Sequence, residues 1–132
     1  MDIKSLTKAE LVELIESLGE KKFRAEQVYD WIHKKFVTDY EDMKNVPKSL
    51  KSKLEEISPL TVVTEIDKQV SAIDGTAKYL FKLSDGNLIE SVLMRYKFGN
   101  SVCISSQAGC RMGCRFCAST LNGLSRSLLP SE

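Results

Sequence analysis

"AKYLFKLSDGNLIESVLMRY", residues 77–96, decides the fold of this chain. Ala77, Tyr79, Phe81 and Leu83 recur at every second position, which is the period of a strand with one apolar face. The tetrapeptide "SDGN" at 84–87 then supplies an Asp-Gly turn, and a second strand runs from Leu88 to about Tyr96. Upstream, "TVVTEIDKQV" (61–70) reads as an earlier strand. Downstream, Phe98, Gly99 and Asn100 turn the chain into "SVCIS" (101–105), whose β-branched and apolar content predicts another. The middle of the chain is therefore an antiparallel meander.

Before residue 60 the period is helical. Thr7 and Glu10 have capping-box spacing, Leu11, Leu14, Ile15 and Leu18 share a helix face, and Gly19 stops it. A basic turn, "GEKKFR", leads to a second helix in which Val28, Trp31, Ile32 and Phe36 recur at helical spacing and belong to the core. A third begins near Pro47, buries Leu50, Leu54 and Ile57, and ends before Pro59. His33 falls beside the apolar stripe and carries no chemistry in this reading. Lys21, Lys22, Arg24, Lys34 and Lys35 either solubilise exposed faces or touch nucleic acid.

The 132 residues carry a net charge of +1, with 42% hydrophobic and 28% charged side chains, a globular composition rather than a disordered one. Overall charge supplies no field for a polyanion, so any nucleic-acid footprint is local. Residues 93–132 hold Arg95, Lys97, Arg111, Arg115 and Arg126 against Glu132 alone. No apolar run reaches signal-peptide or membrane-span length, so a cytoplasmic protein is expected. In that reducing compartment four cysteines are better read as metal-binding or catalytic thiols than as disulfides.

Three of them crowd into "GCRMGCRFCAST", residues 109–120. Cys110, Cys114 and Cys117 have the spacing C-x3-C-x2-C, which also places them on one face of a helix. Gly109 and Gly113 oppose the helix, since each glycine weakens one by roughly 1 kcal/mol. They suit a loop whose bare backbone approaches an inorganic centre and donates hydrogen bonds to its sulfurs. Zinc with Cys103 as fourth ligand is disfavoured by the C-x6-C-x3-C-x2-C spacing and by the strand pattern around Cys103. The spacing also departs from the C-x2-C-x2-C run of two-cluster ferredoxins. Three thiolates on a four-iron cube leave one iron open, and S-adenosylmethionine can chelate such an iron. C-x3-C-x2-C with an aromatic before the last cysteine, here Phe116, is similar to the radical-SAM signature.

"SVCISSQAGCRMGCRFCAST" and "FRAEQVYDWIHKKF" closely resemble the RlmN family of rRNA and tRNA adenine methyltransferases. The resemblance implies an S-adenosylmethionine enzyme with a [4Fe-4S] cluster that methylates carbon 2 of an adenine in 23S rRNA, and of one in tRNA. It implies Cys110, Cys114 and Cys117 as cluster ligands and Phe116 near the S-adenosylmethionine adenine. Cys103 matches a second catalytic thiol that resolves a protein–RNA adduct by forming a disulfide. The cysteine that carries the methyl group in this scheme is expected later in the chain. Glu90, in "NLIESVLMRY", lies on the alternating face with Leu88, Val92 and Met94. From pattern alone it is either turned to solvent or a desolvated carboxylate; the resemblance makes it a proton acceptor at the adenine, a role that suits a raised pKa. An external electron donor such as flavodoxin and a monomeric state complete the implied picture.

The fold class expected is α+β. A three-helix accessory domain (1–60) that contacts RNA is followed by an antiparallel connector (61–95), then by the first strand and cluster loop of an incomplete radical-SAM (β/α) barrel (96–132). "SLLPSE" looks like a helix start, so the sequence is read as the amino-terminal part of a longer protein, inactive by itself. Two rivals remain. One is the Cfr-type enzyme, which methylates carbon 8; the other is a non-catalytic RNA-binding module with a structural metal site.

Overall fold

A computed structural model describes residues 1–60 and 63–132. The chain divides into two compact units, Met1–Thr61 and Val62–Pro130.

The first unit is helical: α1 (Lys8–Ser17), α2 (Phe23–His33) and α3 (Lys48–Ile57), with short 3-10 turns at Ile3–Ser5 and Tyr40–Asp42. The predicted capping box is present. Thr7 Oγ1 accepts from the Glu10 amide, and the Glu10 carboxylate accepts from the Thr7 amide at 2.7 Å. Gly19, at φ +80°, ends the helix in a conformation that costs glycine little. Leu11, Ile15, Val28, Ile32, Leu50 and Leu54 form the centre of the core. Two polar anchors tie its far ends together. Ser58 Oγ accepts from the Ile3 amide at 2.9 Å, and Tyr40 Oη donates to the Ser58 carbonyl at 2.7 Å, both buried.

Two predicted core positions are corrected. Phe36 is 76% exposed and Ile57 38%. The helical period points to Phe36, but α2 stops at His33 and the chain reverses, with Phe36 at φ +54° and the Val37 amide returning to the Trp31 carbonyl at 3.2 Å. With Phe36 in the left-handed region the chain doubles back over the last turn of α2, and this reversal turns the next residue inward. Val37 packs on the core in its place. Trp31 stays half-buried against the core, its indole N–H donating to Asn45 Oδ1 and Lys35 Nζ lying 3.3 Å above its ring.

The second unit is a four-stranded antiparallel meander, β1 (Thr64–Val70), β2 (Ala77–Lys82), β3 (Leu88–Tyr96) and β4 (Gly99–Cys103), in sequential order. Of the expected first strand, Thr61 and Val62 lie outside the described residues. β4 continues the sheet past residue 96, pairing Val92 with Cys103 and Tyr96 with Gly99. A separate two-stranded ribbon, β5 (Gln107–Gly109) with β6 (Leu124–Ser127), brackets the cysteine segment. The unit's buried centre is small: Leu83, Ile89 and Ala108. Where a helix start is predicted, the chain makes a single turn. The Glu132 amide reaches the Leu129 carbonyl, and its carboxylate accepts from the Leu129 amide at 2.8 Å.

Candidate functional site

The cysteine loop is non-helical between Cys110 and Cys117. Its base is closed by the Cys110 amide, which donates to the Gly123 carbonyl at 3.0 Å. Gly109 makes that closure sterically feasible. At φ +78°, an added Cβ would meet the Gly123 carbonyl oxygen at 2.1 Å. The sequence pattern identifies Gly109 as a loop glycine; the structure supplies the reason, a backbone crossing with no room for a side chain. At the loop's other end the Cys117 amide turns back to the Cys114 carbonyl at 3.2 Å. Thr120 Oγ1 lies 2.9 Å from the Cys114 carbonyl and 2.8 Å from that of Cys117.

All four cysteines are free thiols. Cys103 is exposed and the other three half-buried. Among the described residues no three side chains of His, Cys, Asp or Glu already converge on a point that could hold a metal ion. The donor set nevertheless fits an iron–sulfur centre. Three thiols stand on one loop, and the amides of residues 111–116 donate no hydrogen bond among the described residues, leaving them available to bound sulfur. Phe116 is 93% exposed at the crown of the loop.

Glu90 and Cys103 share a sheet face. Cys103 is the register partner of Val92, which lies two residues along β3 from Glu90, so all three point to the same side. Of the two readings left open for Glu90, the structure has the one turned to solvent and not the desolvated one. Parity places it rightly with Leu88, Val92 and Met94, but Ile89 of the opposite parity is the buried residue, while Leu88 and Glu90 are exposed. Glu90 forms an ion pair with Lys78 at 3.1 Å. The pairing Leu80↔Glu90 makes Lys78 its diagonal neighbour.

Glu90 also lines an open cleft of about 770 Å³, together with Leu88, Ser105, Gln107, Ala118 and Asn122. The sequence pattern gives no sign of the polar wall of this cleft, whose residues come from three separate segments. One further contact fixes the geometry around it. Arg126 on β6 donates to Asp85 in the β2–β3 turn at 2.5 Å and grips Glu132 with two bonds of 2.7 Å. The Arg126 guanidinium, helped by the Asn87 amide, holds the Asp85 carboxyl well below the usual carboxylate range, and it lowers Glu132 as well.

Known proteins resemble this chain along its whole length. Residues 1–60 match the family described as the ribosomal RNA large subunit methyltransferase N-terminal domain. The whole chain is 57% identical to a probable dual-specificity RNA methyltransferase RlmN from Lachnoclostridium phytofermentans, covering 37% of that protein. Over 131 residues it is 58% identical to the protein of the same name from Lachnospira eligens, again covering 37% of it. Among solved structures, a radical SAM methyltransferase from Sphaerobacter thermophilus superposes with a TM-score of 0.85 at 41% identity, over 97% of this chain and 38% of that one. The chain thus spans little more than a third of the length of these relatives.

Proposed function

We propose that this protein acts as a radical-SAM RNA methyltransferase, because residues 1–60 match the ribosomal RNA large subunit methyltransferase N-terminal domain family and the whole chain aligns with RlmN proteins. Its substrate is an adenine of 23S rRNA, and also of tRNA, methylated at carbon 2. One observation carries the reading beyond likeness. Three unpartnered thiols stand on a loop whose ends are closed, beside a sheet whose single face bears both a carboxylate and a fourth thiol.

In this reading residues 1–60 contact RNA, 61–95 connect, and 96–132 open the radical-SAM barrel. Cys110, Cys114 and Cys117 hold a [4Fe-4S] cluster, and Phe116 lies against the adenine of S-adenosylmethionine. When bound, the cluster supplies the electron that cleaves the sulfonium of S-adenosylmethionine to start radical chemistry. Two side chains of this chain handle the proton and the adduct. Glu90 Oε accepts the proton released from the methylated adenine carbon, and its ion pair with Lys78 must open or shift for it to do so. Cys103 Sγ, exposed on the same face, resolves the protein–RNA adduct by forming a disulfide with a further cysteine that first carries the methyl carbon. The reading places the protein in the cytoplasm as a monomer, with an external one-electron donor such as flavodoxin. Among the described residues no helix is long and apolar enough to cross a membrane.

The test uses the full-length protein, reconstituted anaerobically with iron and sulfide. A cluster signal in electron paramagnetic resonance that changes on adding S-adenosylmethionine, and that is lost in Cys114→Ala, is expected. Mass spectrometry of RNA incubated with the enzyme should show methyl at adenine carbon 2, and methyl at carbon 8 alone would move the assignment to the Cfr-type activity. Tight zinc with no iron signal would overturn the enzyme reading in favour of a structural metal site.

A further inference from the structure

The β3–β4 hairpin closes over Lys97 and Phe98, with Tyr96 and Gly99 as its last pair. Two aromatic residues sit at this tip. Phe98 is 85% exposed and Tyr96 50% exposed, and neither belongs to the unit's buried centre. Their rings are parallel within 8° at a centroid separation of 5.0 Å, an offset stack with its outer face open to solvent. Arg95 and Lys97 flank the pair, and among the described residues neither joins an ion pair. The surrounding sequence has one sign of charge. From Ser91 to Ser131 there is no Asp or Glu, while Arg95, Lys97, Arg111, Arg115 and Arg126 all fall in that span.

We propose that this hairpin tip is a stacking platform for an unpaired base of single-stranded RNA, with Phe98 as the platform, Tyr96 as its backing, and Arg95 and Lys97 on the adjoining phosphates. The proposal rests on the RNA reading above and adds to it a specific contact element. A flat exposed aromatic stack bracketed by unpaired cations matches the base and backbone of a single strand in both shape and charge. A second copy of the chain does not fit, because apposing two such tips would bring four cations together. Tyr96 shares its sheet face with Glu90, six residues away along β3, or about 20 Å at about 3.3 Å per residue. A strand whose target base stands at Glu90 therefore reaches the tip a few nucleotides away. The platform tightens RNA binding and leaves the chemical step untouched.

The experiment uses the full-length reconstituted protein and a short fluorescein-labelled single-stranded RNA, read by anisotropy, alongside steady-state methylation. Phe98→Ala should weaken binding about tenfold, whereas Phe98→Trp, which keeps a π face, should hold near wild-type affinity. KM for RNA should rise with binding while kcat at saturating RNA stays unchanged. Lys97→Ala should reduce the slope of log affinity against log salt by about 1. Phe98 is exposed, so these variants should keep the wild-type circular dichroism spectrum. If wild-type protein binds RNA and Phe98→Ala binds it equally well, the proposal fails while the RNA reading stands. A change in sedimentation of Phe98→Ala with unchanged RNA affinity would likewise overturn it, in favour of a protein contact. Wild-type protein that neither binds nor methylates RNA removes the RNA reading and this proposal together.

Discussion

Replacing Gly109 with alanine tests whether a backbone crossing, rather than general loop flexibility, closes the cysteine loop. The added Cβ would lie 2.1 Å from the Gly123 carbonyl oxygen, so the two segments must part by roughly 1 Å before normal contact returns. That carbonyl accepts the Cys110 amide at 3.0 Å, and parting stretches or breaks the bond, at about 1 kcal/mol. The φ of +78° adds about 1–2 kcal/mol for any residue with a Cβ. The sum is about 2–3 kcal/mol, concentrated at the β5–β6 ribbon. Gly123→Ala is the matched control. It has φ +67° but nothing within 4 Å of its added Cβ, so it should cost only the conformational part, about 1–2 kcal/mol. Hydrogen exchange of residues 107–110 and 124–127 reads both variants locally. Gly109→Ala should exchange faster than Gly123→Ala, and retain less iron after reconstitution. Equal effects from the two, or none from Gly109→Ala, would refute the crossing argument.

Tyr40→Phe leaves the buried Ser58 carbonyl without its donor, so urea unfolding of the helical unit should show a loss of about 1–3 kcal/mol. Thr7→Ala removes the α1 cap and should cost about 1 kcal/mol by the same measurement. Asp85 and Glu132 are both lowered in the folded state by Arg126. The stability they contribute is therefore fully present above the ordinary carboxylate range and is lost as pH falls through their lowered values. The protection of the Asn87 and Leu129 amides, taken against the intrinsic exchange rate at each pH, should fall in acid, and Arg126→Gln should flatten that pH dependence; an unchanged acid limb in the variant would show that the Arg126 ion pairs are not its source.

The parts legible in the sequence are those governed by neighbours along the chain. The capping box of α1 and the limits of β3, Leu88–Tyr96, follow from residues within a few positions of each other. A helical period misplaces Phe36 because it cannot reveal where a helix reverses, and the left-handed turn at Phe36 shifts the inward position to Val37. For Glu90, alternation identifies the correct neighbours on its face but not which face is covered, since that depends on Leu83, Ile89 and Ala108 packing together from different segments. Lys78 is within reach of the pattern. A turn at 84–87 fixes the β2–β3 register and hence the diagonal that joins Lys78 to Glu90. The polar wall of the cleft and the Gly109–Gly123 crossing join residues distant in sequence, and local pattern carries no signal for them.

The same crossing shows how the cysteine loop divides its tasks. Its closed ends use backbone groups: the Cys110 and Cys117 amides donate within the loop, and the Cys114 and Cys117 carbonyls take the Thr120 hydroxyl. The thiols and the amides of the crown are left for a ligand. Thr120 is then the residue that ties together the backbone at two of the cysteines. One hydroxyl hydrogen is shared between two carbonyls, so Thr120→Val, which keeps the volume, should cost about 1 kcal/mol of loop order. If that order is what retains the cluster, iron should pass to a chelator about fivefold faster from the reconstituted full-length Thr120→Val protein than from wild type, since about 1.4 kcal/mol corresponds to about tenfold. Thr120→Ser, which keeps the hydroxyl, should match wild type. Equal rates for valine and wild type would mean that the thiols are positioned by the cluster alone and not by the loop that carries them.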